Sequence, residues 1–160
     1  MPVMYREGSI FETEAPSLVC PVNCVGVMGK GLALEFKKRW YRSYCEYANM
    51  CSRNAVFPGS VFLTSDWIGA ATKDHWRAPS RIEWVDECLK RLSYYARDVI
   101  AIPQLGCGCG ELEWRDVEPL YRKHFDGSSV LAEVWIYREP VMIEQPKQEE
   151  HIDLEELFYL

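Results

Sequence analysis

The chain has only three histidines, at positions 75, 124 and 151, and no Cys-x-x-Cys pair. A zinc site needs three or four such ligands at close spacing, so no metal is expected. No apolar run is long enough to cross a bilayer and no secretory leader is legible, so neither membrane insertion nor export is expected. Basic residues are not in excess: 18 Lys and Arg stand against 24 Asp and Glu, for a formal charge of −6. That balance excludes general coating of nucleic acid, though not a pocket for one nucleotide end. The seven cysteines are odd in number and scattered. They read as free thiols in a reducing cytoplasm. There is no internal repeat and no low-complexity linker.

What is present suits one folded domain. The 160 residues are 48% hydrophobic and include six Trp and nine Tyr. Strand-like runs at Val3–Tyr5, Leu18–Val22, Ser60–Thr64, Trp67–Ala71, Val99–Leu105 and Val130–Tyr137 alternate with helical spacing at 32–38, 41–50, 82–96 and 116–125. Ser80 and Glu83 fit a capping box before the third helix. This order predicts a layered α/β domain with a mostly parallel or mixed sheet. Residues 1–139 are read as that domain. Residues 140–160 are read as an appended acidic tail, where Ile152, Leu154, Leu157, Phe158 and Leu160 interleave with Asp153, Glu155 and Glu156. The tail is expected to dock on its own domain or on a protein partner.

Two glycine loops follow buried strand candidates. The first contains Asn23, Gly26, Gly29, Lys30 and Gly31; the second contains Gly106, Cys107, Gly108, Cys109 and Gly110. Glycine lets backbone N–H groups approach a ligand, and a helix N-terminus adds orphan donors and a positive dipole end. The first loop has neither P-loop nor dinucleotide spacing. From residues alone it is either a bare strand-to-helix turn or a phosphate cradle. An Asn at a strand end can also serve a sugar hydroxyl. The segment Thr72-Lys73-Asp74-His75-Trp76-Arg77 gathers an amine, an imidazole, an indole and a guanidinium. It is either a surface turn whose Trp plugs the core or a functional loop. Lys37, Lys38, Arg39 and Arg42 read as an exposed helix face.

These motifs, in this order, resemble the macrodomain family. The similarity is greatest to the branch of DNA ADP-ribosyl glycohydrolase antitoxins and the human terminal ADP-ribose protein glycohydrolase. It rests on 22–31, on Thr72-Lys73 with His75-Trp76-Arg77, and on Ile102-Pro103 with Gly106–Gly108 and Leu112–Trp114. The resemblance implies a three-layer α/β/α macrodomain with a mixed, about six-stranded sheet. It implies an ADP-ribose site at Ser9, Ile10, Asn23, Gly29, Lys30, Gly31, Gly106, Cys107, Gly108, Cys109 and Gly110. Lys73 matches the hydrolytic Lys, acting as nucleophile or by positioning charge. His75, Trp76 and Arg77 are candidate substrate contacts. The implied activity is removal of ADP-ribose from DNA or protein, without a cofactor. Hydrolysis of ADP-ribose 1″-phosphate and non-catalytic binding are the alternatives. Ser9 stands where many macrodomains carry an adenine-binding Asp, and Gly110 where the human relative has a catalytic Asp. The long second domain of full antitoxins is not found here, so the chain is read as a free-standing detoxifier.

Overall fold

The structure, a computed structural model of the chain, describes residues 3–95 and 98–138. The tail expected at 140–160 and the last residue of the helix expected over 82–96 lie outside the described residues. Six strands form one sheet: β1 (Met4–Glu7), β2 (Ser17–Val22), β3 (Val61–Leu63), β4 (Ile68–Ala71), β5 (Val99–Pro103) and β6 (Leu131–Ile136). Their spatial order is β1-β6-β5-β2-β4-β3. All neighbours are parallel except β3, which runs antiparallel to β4. The helices are α1 (Gly31–Arg39), α2 (Tyr41–Ser52), α3 (Ile82–Tyr95) and α4 (Trp114–Phe125).

The two-residue period of the central strands builds the three layers. Val19 of β2, Ile100 and Ile102 of β5, and Ala132 and Val134 of β6 join Val85, Leu89 and Leu92 of α3 and Val117, Tyr121 and Phe125 of α4. The alternate residues Leu18, Cys20, Val22, Ala101 and Trp135 join Phe36 and Tyr47 of α1 and α2. Strands covered on both faces read as continuous apolar runs, as parallel strands do. Lys37 and Arg39 of α1 lie over aromatic rings, Tyr44 at 4.4 Å and Phe11 at 4.1 Å, as amphipathic cations often do.

The capping box at Ser80 does not form. The first carbonyl of α3 is that of Arg81, which accepts from Trp84 and Val85. The Ser80 N–H donates instead to Gly110 O at 2.9 Å, and its buried hydroxyl meets no partner among the described residues. A tertiary bond to the second glycine loop has displaced the local motif.

His124, in the last turn of α4, brings Nε2 within 2.6 Å of Asp86 Oδ1 on α3, and Lys123 Nζ lies 3.2 Å from the same oxygen. Partial burial works to raise the Asp86 carboxyl, but hydrogen bonds from His124 and Lys123 outweigh it and hold the group below its ordinary range. A carboxyl depressed in the folded state contributes stability above its unfolded pKa of about 4, and that contribution is lost as the pH falls through the lower folded value. Asp86 is partly solvated, which discounts the pair. Asp86→Asn is expected to cost about 1 kcal/mol or less in urea unfolding at pH 7, and the difference from wild type should shrink towards pH 2. A difference that grew in acid would contradict the assignment.

Candidate functional site

Three loops leave the carboxyl ends of the adjacent parallel strands β4, β2 and β5, where open α/β sheets bind ligands. Hydrogen bonds join the first two loops. Thr72 N donates to Val22 O at 3.1 Å, Cys24 N to Asp74 O at 3.2 Å, and Cys24 Sγ to Lys73 O at 3.3 Å.

Asn23 is buried and organises the first loop. Its Oδ1 accepts from Val25 N at 3.0 Å and from Val27 N at 3.4 Å, and its Nδ2 donates to Val27 O at 2.8 Å. Tyr47 OH, within α2, lies 2.8 Å from both Asn23 O and Asn23 Oδ1. Burial pushes the Tyr47 phenol well up, so it remains a donor. Nothing near Asn23 in sequence announces this partner, which lies 24 residues away. The second N–H of Nδ2 has no hydrogen-bond partner among the described residues.

The loop runs into α1 at Gly31, whose φ of +58° is left-handed. The first helical bond is Leu34 N to Lys30 O at 3.4 Å, and Lys30 supplies no side-chain cap. The N–H groups before Leu34 therefore lack intrahelical partners, and no acidic side chain occupies the first turn. A Cβ on Gly29 would meet nothing closer than Val27 Cγ1 at 3.8 Å, and one on Gly108 nothing within 4 Å. These two glycines expose bare backbone. Gly106 and Gly110 have a different task. A Cβ on Gly106 would fall 2.8 Å from Leu112 Cδ1, and one on Gly110 2.4 Å from Ser80 Oγ. They allow the second loop to fold tightly against α3.

The two glycine loops meet at Cys109, whose Sγ would lie 3.7 Å from a Cβ on Gly31. Lys73 closes the arrangement. Its Nζ donates to Cys109 O at 3.1 Å and to Trp76 O at 2.9 Å. Half-buried Lys73 thus bridges its own loop and the second glycine loop at the meeting point of all three. Among the described residues, no three His, Cys, Asp or Glu side chains gather as a metal centre. The arrangement offers an anion cradle of backbone N–H groups beside one positioned amine.

A family model described as "Macro domain" matches residues 19–121, a span from β2 into α4. The chain belongs to the macrodomain family. A DNA ADP-ribosyl glycohydrolase of Mycobacterium tuberculosis is 38% identical over 128 residues, which cover 72% of this chain and 36% of that protein. The chain therefore spans about a third of that relative's length. The solved macrodomain of M. tuberculosis DarG superposes with a TM-score of 0.80 at 35% identity, covering 84% of this chain and 97% of that one. Thermosipho africanus DarTG, solved in complex with ADP-ribose, superposes at 0.73 with 25% identity, covering 89% of this chain and 43% of that one.

The other expected site residues of this macrodomain are placed as follows. Ser9 and Ile10 stand at the end of β1, remote in sheet order from β2 and β4. Ser9 Oγ accepts from Phe11 N at 3.3 Å and caps a 3-10 turn at Ile10–Glu12, while Ile10 is buried. Cys107 packs inward, Sγ donating to Leu105 O at 3.5 Å, and burial followed by nearby Glu113 pushes its thiol up to about 11. Burial first, then Asp74 and Cys51, push Cys24 up to about 12. Neither is a ready thiolate. His75, Trp76 and Arg77 form an exposed turn beyond Lys73, so Trp76 does not plug the core.

Proposed function

We propose that this macrodomain is an ADP-ribosyl glycohydrolase that frees ADP-ribose from modified DNA. The observation that carries the reading is Lys73 Nζ, held between Trp76 O and Cys109 O where the two glycine loops meet. Two kinds of relative support it: one named for this activity and one solved with ADP-ribose.

In this reading the pyrophosphate lies on the open backbone of Gly29, Lys30 and Gly31 and on that of Gly108, against the N-terminus of α1. The free Nδ2 hydrogen of Asn23 takes a distal-ribose hydroxyl. Ser9 and Ile10 flank the adenine, with a hydroxyl offered where a carboxylate is common. The bond from the anomeric carbon to the base breaks with carbocation-like character. Water supplies the hydroxyl to that carbon and the base leaves with a proton. With two contacts on carbonyls, Lys73 Nζ keeps one tetrahedral position, an N–H if charged or a lone pair if neutral. The same geometry therefore serves a charge that steadies the leaving base or an attack that forms a transient adduct.

The test is release of ADP-ribose, followed by mass spectrometry, from ADP-ribosylated single-stranded DNA, ADP-ribosylated protein and ADP-ribose 1″-phosphate in parallel. DNA is expected to turn over fastest. Release of phosphate alone would establish a phosphatase, and binding without turnover a reader module.

The seven unbridged cysteines fit a reducing cytoplasm. The acidic, apolar-spaced tail is assigned to docking, on this domain or on a protein partner. Deleting 145–160 is expected to leave ADP-ribose release intact while changing self-association or DNA affinity in sedimentation and filter-binding assays. No change in either would leave the tail without that role.

A further inference from the structure

Of the six tryptophans, all within the described residues, only Trp76 is exposed, at 45%. An exposed indole beside a ligand cleft needs an explanation, because burial is its usual fate. The turn that carries it is built. Ala78 N donates to His75 O at 3.1 Å, and Arg77 N donates to His75 Nδ1 at 3.1 Å, which fixes the imidazole. The His75 ring sits 5.3 Å from the indole at 31°, and the Arg77 guanidinium lies 4.6 Å from it. Arg77 has no carboxylate partner among the described residues. The Trp76 carbonyl accepts from Lys73 Nζ at 2.9 Å, so the platform adjoins the amine to which the proposed function gives the chemistry.

We infer that the His75–Trp76–Arg77 turn stacks the nucleotide next to the modified one, with Arg77 on its phosphate, and so selects single-stranded DNA. The inference rests on the glycohydrolase reading of the cleft. Stacking on an indole needs a free base face, which a duplex denies because each base is already stacked on its neighbours. One guanidinium beside the ring suits a phosphodiester, and an acidic chain gains affinity only where such cations are gathered.

The test compares kcat/KM for ADP-ribosylated deoxynucleotides of increasing length, from one residue to eight, and for an ADP-ribosylated peptide. Wild type is expected to gain about ten- to a hundredfold with length. Trp76→Ala should lose that gain and Trp76→Phe keep most of it, with the unfolding midpoint held as control. An unchanged length dependence in Trp76→Ala would overturn the inference, as would an equal loss on the peptide. If wild type releases nothing from any oligonucleotide, the parent reading fails. Binding of an unmodified single-stranded octanucleotide still decides the platform: equal binding by wild type and Trp76→Ala overturns it, and loss in the variant upholds it.

Discussion

Gly29→Glu is expected to leave the domain folded and to abolish ADP-ribose binding. The fold should survive because Gly29 is not left-handed and a Cβ there meets only Val27 Cγ1, at 3.8 Å. Binding should fail because the added carboxylate enters the space before the helix N-terminus, where the pyrophosphate is placed. Two like charges about 4 Å apart near a protein surface repel by roughly 4 kcal/mol, and partial screening leaves about half of that or more. Calorimetry should therefore show affinity falling by about thirtyfold or beyond from charge alone, and the bulk of the side chain in the same space carries the loss further. Adenosine, which lacks the phosphates, should bind weakly to both proteins. An unchanged ADP-ribose affinity in Gly29→Glu would move the phosphates to another part of the surface.

Lys73→Ala is expected to reduce hydrolysis by at least about a hundredfold, the range seen when a positioned acid, base or charge is removed. Its ADP-ribose affinity should fall far less, because the backbone cradle remains. Nζ also bridges two loops, so some loosening of the second glycine loop will accompany the loss. Lys73→Arg separates the two effects: it keeps a cation and carbonyl donors but cannot act as an amine nucleophile. Substantial activity in Lys73→Arg would favour charge positioning. An inactive Arg variant, with borohydride trapping of wild type on substrate, would favour the covalent route. Full activity in Lys73→Ala would remove this residue from the chemistry.

The sheet was legible because central parallel strands have a strong signature. Leu18–Val22 and Val99–Leu105 are nearly unbroken apolar runs, and both became covered strands; β5 stops at Pro103 because Leu105 N turns to Tyr121 OH at 2.9 Å. The helix of α4 starts two residues earlier than its spacing suggests, since Glu113 O accepts from both Asp116 and Val117. The glycine loops and the Lys73 loop were legible as residue types. Their junction was not. Lys73 is held by the carbonyls of Trp76 and Cys109, and a backbone carbonyl leaves no mark in residue identity. Tyr47 under Asn23 and Ser80 against Gly110 are long-range pairings, so local rules assign each to something else: a helix face in one case, a cap in the other. The glycines look alike in sequence, but packing divides them. Gly106 and Gly110 are needed for tight folding, whereas Gly29 and Gly108 leave backbone open.

The most direct measurement is the change in backbone amide NMR shifts as ADP-ribose is added to the labelled protein. The account predicts large, saturable shifts at 29–33, at 106–110 and at Lys73, all at the carboxyl ends of β2, β4 and β5. Thr64, in the turn that leads into β4, and Asp98, just before β5, lie at the opposite end of the sheet and should stay still. Shifts confined to other loops, or spread evenly over both ends of the sheet, would contradict a single cleft closed by Lys73.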